Sequence, residues 1–80
     1  MAEVIESMEE LKQLAENGLD CFIHLNGNVR SSKHIWLNNN QFEIINLIDG
    51  SEQCLSEEEL FDEEKTNIGK ALKLRSLYKD

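Results

Sequence analysis

Residues 21–50 read CFIHLNGNVRSSKHIWLNNNQFEIINLIDG, and the fold turns on them. Cys21-Phe-Ile-His-Leu25 alternates, so Cys21, Ile23 and Leu25 share one face of a strand and Phe22 and His24 the other. Asn26-Gly27-Asn28 signals a turn between extended runs. A second strand is predicted over Arg30–Leu37, with Ile35 and Leu37 on one side and His34 and Trp36 on the other. Asn38-Asn39-Asn40 marks a second turn, because asparagine tolerates positive φ at low cost. Phe42–Ile48 forms a third strand without clean alternation, and Asp49-Gly50 gives a third hairpin signal. A short fourth strand over Glu52–Leu55 follows. The region predicts an antiparallel meander of three or four strands.

Helices flank the meander. Ser7-Met-Glu-Glu10 has the capping-box pattern, and Met8, Leu11, Leu14 and Ala15 recur at helical spacing. Asn17-Gly18 stops this first helix; residues 2–6 either extend it or form a separate short segment. Ser56-Glu-Glu-Glu59 opens a second, short helix through Phe61, and Asp62-Glu63-Glu64 reads as a solvated link. Thr66 or Asn67 caps a last helix predicted through Leu77, lined by Ile68, Ala71, Leu72 and Leu77 and flanked by Leu74 and Tyr78. Gly69 should weaken it by roughly 1 kcal/mol relative to alanine. The expectation is one small α+β domain over 1–80, two-layered, with helices packed on one sheet face.

Eighty residues with 40% hydrophobic content support one thin core. The start, acidic and without a basic n-region or long apolar run, does not read as a signal peptide. Nothing approaches the ~20 apolar residues of a membrane span. A cytoplasmic location is therefore expected, with Cys21 and Cys54 as buried reduced thiols.

Charge is uneven. Sixteen acids face eight bases, for a net −8. Residues 1–16 carry −4, 17–48 are neutral, 49–64 carry −8 with no base, and 65–80 carry +4. The total argues against direct nucleic-acid binding, which needs a positive footprint. It suits an acidic surface that meets a basic partner.

No chemistry-bearing motif stands out. Cys21, His24, His34 and Cys54 lack zinc-ligand spacing. His24 and His34 meet across the hairpin only if the loop is long; a tight Gly27-Asn28 turn pairs His24 with Ser31 instead. Ser32 and His34 share a face, yet no nucleophile–base–orienter set is visible, so no catalytic residue, cofactor or metal is expected. The run Glu57–Glu64 lacks the spaced oxygens and central glycine of an EF-hand. Dense carboxylates there (Glu57, Glu58, Asp62, Glu63) could imitate a nucleic-acid backbone, or simply be solvated. The alternation places Phe22, His24, Arg30, Ser32, His34 and Trp36 on one sheet face, a mixture like a protein interface. Against that stands Trp36 as core under the C-terminal segment.

The sequence thus points to a non-catalytic binding or regulatory module acting by protein–protein contact, with an unidentified protein partner or a homodimer through the sheet face or edge. The alternative is nucleic-acid-linked: an acidic mimic inhibiting a nucleic-acid-binding protein, or a weak single-strand binder.

Overall fold

The computed structural model describes residues 3–24 and 30–80. Nine elements follow in order: β1 (Glu3–Val4), α1 (Met8–Ala15), β2 (Leu19–Ile23), β3 (Ser31–Asn38), β4 (Gln41–Asn46), β5 (Glu52–Ser56), α2 (Glu57–Leu60), α3 (Asn67–Lys73) and β6 (Leu77–Lys79). The strands form one sheet in the order β1-β6-β2-β3-β4-β5, and every neighbouring pair is antiparallel. The α+β class and the antiparallel sheet hold. The strand count does not: the described residues form six strands rather than three or four, and a strand precedes the first helix.

Local chemistry explains the elements. Ser7 caps α1, its hydroxyl accepting from the Glu10 N–H at 3.1 Å. The Glu10 carboxylate reaches back one residue further than a capping box requires, to the Glu6 N–H at 2.8 Å. Gly18, at φ +82°, closes the helix end. Its missing Cβ also matters, because one built there would lie 2.9 Å from the Trp36 ring. Asn39 and Asn40, at φ 51° and 65°, form the two-residue turn between paired Asn38 and Gln41. Ser56 and Glu59 complete a full capping box on α2.

The core lies between the sheet and the three helices. Leu19, Cys21 and Ile23 of β2 join Ile35, Phe42, Ile44 and Leu77 on that side. Leu11 and Ala15 of α1, Leu60 of α2, and Ile68 and Ala71 of α3 close over them. Each fully buried large apolar side chain contributes about 1.5–3 kcal/mol relative to exposure. Phe61 meets Phe42 edge-on at 5.9 Å, a favourable aromatic geometry. A Cβ at Gly69 would lie 2.8 Å from the Leu60 carbonyl oxygen. The glycine that lowers helix propensity is thus what lets α3 sit directly on the end of α2.

Three expectations need correction. The last helix stops at Lys73, not Leu77. The Arg75 N–H donates to the Leu72 carbonyl at 3.3 Å and the Ser76 N–H to the Ala71 carbonyl at 2.8 Å. With Arg75 at φ 56°, this is a Schellman closure. It turns the chain so that Leu77–Lys79 pairs between β1 and β2 as a strand. Second, β2 begins at Leu19 rather than Cys21, and Ser31 lies opposite Ile23 rather than His24. Leu25 and the Asn26-Gly27-Asn28 turn lie outside the described residues. Third, Cys54 is exposed, because it sits on the uncovered side of edge strand β5; only Cys21 is buried. Both thiols are free.

Candidate functional site

The antiparallel registers place alternate residues of β2, β3, β4 and β6 on the sheet face away from the helices. Phe22 lies between Tyr78 and Ser32, His34 between Asp20 and Ile45, and Trp36 beside Glu43. None of the three helices crosses this face, since their buried residues join the core on the other side.

The face is ordered by its own contacts. Phe22 and Tyr78 stack with ring centroids 5.2 Å apart and planes 16° apart. The Arg30 guanidinium carbon sits 3.8 Å above the Phe22 ring. The same guanidinium donates to the Asp80 carboxylate at 2.6 Å, and Asp80 is tied to β2 through its N–H on the Asp20 carbonyl at 2.9 Å. Phe22 is consequently only 8% exposed although no helix covers it. His34 Nδ1 lies 2.7 Å from the Asp20 carboxylate, which fixes the imidazole against the sheet. The Trp36 ring sits against Gly18 and remains 41% exposed. The alternative of a core tryptophan under a C-terminal cover is not found: the C-terminal segment enters the sheet as β6, beside β2, and leaves Trp36 open.

Six sequence-selected residues meet here in part. Phe22, Arg30, Ser32, His34 and Trp36 form one connected patch. His24 is exposed, its N–H held by the Ser76 carbonyl at 3.1 Å. Tyr78, Ile45 and Glu43 belong to the patch and were missed. Tyr78 had been given to a helix flank. The in–out pattern of Leu77-Tyr78-Lys79 was the available signal, although three residues also fit helical spacing.

The acidic candidates lie elsewhere. Leu60 of α2 packs in the helix-side core, so Glu57, Glu58, Asp62 and Glu63 belong to the opposite layer. Glu57 receives Lys12 at 2.7 Å and Glu63 receives Lys73 at 2.8 Å. The Asp62 carboxylate accepts the Glu64 N–H at 2.9 Å, which shapes the link, while Glu58 is exposed. The two candidate surfaces are not brought together.

The possible reactive groups are not assembled. The Cys21 thiol is pushed up to about 12 by burial, reinforced by nearby Asp20, and is held as an unreactive thiol. The Cys54 thiol donates to Gln41 Oε1 at 2.8 Å. Among the described hydrogen bonds none joins Ser32 to His34. Among the described residues no three His, Cys, Asp or Glu side chains gather as a metal-ligand set. A shallow cleft of about 260 Å³ lies on the helix side, lined by Lys33, Asn46, Gln53, Lys65 and Thr66. Among the described residues no helix is long and apolar enough to cross a membrane. No protein-family model, curated protein or solved structure matches the chain.

Proposed function

We propose that this chain is a non-catalytic binding module that acts through protein–protein contact on the uncovered sheet face. The observation that carries this reading is Trp36: a large aromatic side chain, backed by a glycine and left open beside a stacked Phe22–Tyr78–Arg30 group. Tryptophan, tyrosine and arginine are the residues that most often dominate interface energetics. Here they are held in place before any partner arrives, which lowers the ordering cost of association. The net charge of −8 favours a partner with a basic surface, by steering and by complementarity.

The acidic run supports a backbone-mimic role less well, because lysines already engage Glu57 and Glu63. The test is affinity capture with the wild-type chain and with Trp36→Ala, each checked by thermal melting. Loss of a captured partner with a retained cooperative melt is the expected result. Equal capture by both proteins would exclude the Trp36 face as the contact surface. Salt-dependent quenching of Trp36 by single-stranded oligonucleotides would redirect the reading to nucleic acid.

A further inference from the structure

The sheet has two edges, and they differ. The β1 edge is two residues long. The β5 edge runs five residues, Glu52–Ser56, in unbroken register with β4. Natural edges are commonly blunted by lysine, proline, a bulge or a covering segment. Strand β5 has no lysine, proline or bulge, and its only charge, Glu52, is negative.

The direction of its free backbone groups follows from the hairpin. The Asn46 N–H donates to the Ser51 carbonyl at 2.8 Å, and the Leu47 N–H to the Ser32 carbonyl at 3.0 Å. Even-numbered β4 residues therefore face β5, and Ser51, Gln53 and Leu55 answer them. Glu52, Cys54 and Ser56 point their N–H and C=O groups outward. The Ser56 N–H is taken by the Glu59 carboxylate at 3.1 Å. Glu52 and Cys54 keep both groups, and no described hydrogen bond uses them. Two alternate residues with free donors and acceptors are the template for one added strand.

We infer that β5 accepts an extended basic peptide segment of a partner protein as a seventh, antiparallel strand. Charge selects the occupant. Residues 49–64 carry eight acids and no base, and Glu43 stands beside Cys54 in the neighbouring strand. A second copy paired β5 to β5 would bring two net-acidic segments side by side, and like-charge juxtaposition opposes that association. A strand with lysine or arginine at alternate positions would set them beside Glu43 and Glu52, while its backbone meets Glu52 and Cys54. The free backbone edge of β5 is distinct from the Trp36 ring, although Glu43, paired with both Trp36 and Cys54, borders each.

The probe is a fluorescent Lys-Val-Lys-Val-Lys-Val-Lys peptide titrated into the full chain, with amide exchange followed by NMR. Binding that weakens with salt, with new protection at the Glu52 and Cys54 amides, is expected. Methylating the lysine nitrogens should cost at least about tenfold in affinity and methylating the valine nitrogens much less, because in an antiparallel ladder the residues that share the Glu52 side are those whose N–H groups meet β5. Trp36→Ala should bind the probe unchanged, so this result and that of the sheet face are read apart. The inference is overturned if the peptide methylated at the lysine nitrogens binds as well as the parent, or if protection fails to appear at Glu52 and Cys54. It is equally overturned if an acidic Glu-Val counterpart binds as tightly. Protection of the same amides without peptide, accompanied by dimer sedimentation, would replace the peptide with a second copy.

Discussion

On the helix side of the sheet, Phe42, Ile35 and Leu77 are sealed by side chains from three helices. On the other side Phe22 is nearly as well hidden, yet its cover is one ring of β6 and the guanidinium of Arg30, just before β3. The first side is held by hydrocarbon contact, which cannot be undone piecemeal. The second is held by stacking and paired charges at half-exposed positions, each worth about 1 kcal/mol or less. Stability therefore concentrates on one face, and the other is free to be specified for contact. Trp36 is the clearest product of that division.

The contrast can be broken most sharply at the two cysteines. At mildly alkaline pH a thiol reagent should modify Cys54 quickly and Cys21 slowly. Raising a thiol from 9.0 to about 12 leaves roughly a thousandth of the thiolate at a given pH, before exclusion of the reagent is counted. Fast modification of both in the folded chain would show that the helix side opens readily. Next in size, Phe42→Ala should cost about 3–5 kcal/mol in denaturant unfolding, whereas Trp36→Ala should cost well under half as much. Comparable losses would abolish the distinction between the faces.

Gly18→Ala should cost about 1–3 kcal/mol, by placing a side chain at positive φ and against the Trp36 ring. A shifted Trp36 emission spectrum should accompany it; an unchanged spectrum and melt would mean that Gly18 does not seat the ring. The smallest effect concerns Glu59, whose carboxyl is held below its ordinary 4.5 by the Ser56 N–H and hydroxyl. A depressed folded value contributes stability above the ordinary value and loses it as pH falls through the lowered one. Glu59→Gln should therefore melt slightly below wild type at neutral pH, with the difference shrinking as the solution is taken below the ordinary carboxylate range. A difference that persists in acid would assign the effect to packing instead.

Much of this architecture is legible in the residues. Ser7, Ser56 and Thr66 announce helix starts, and Asn39, Asn40 and Gly50 occupy turns where positive φ is needed. Alternation in Cys21–Ile23 and in Ser31–Leu37 divides the faces as the registers do. The outer strands are not legible for a physical reason. Two residues of β1 and three of β6 are too few for a strand period to be told from a helical one, and only partners distant in sequence make them strands. Arg75 hides the end of α3, because a closing left-handed residue is usually glycine. Those same omissions concealed Tyr78, and with it the cover over Phe22. Gly69 misled in another way: its cost to the helix is visible in the sequence, and its necessity at the α2 contact is not.

The place of β6 also sets an order of assembly. Strand β1 touches only β6 within the sheet, and β6 lies between strands that precede it by most of the sequence. The hairpins linking β2 to β5 are built from neighbouring residues and close at low entropic cost, whereas β1 must wait for β6. Until β6 docks, Leu19–Ile23 is itself an open edge, apolar at four of its five positions. The closing strand is thus what removes an apolar border from the meander and leaves β5 as its longer open edge.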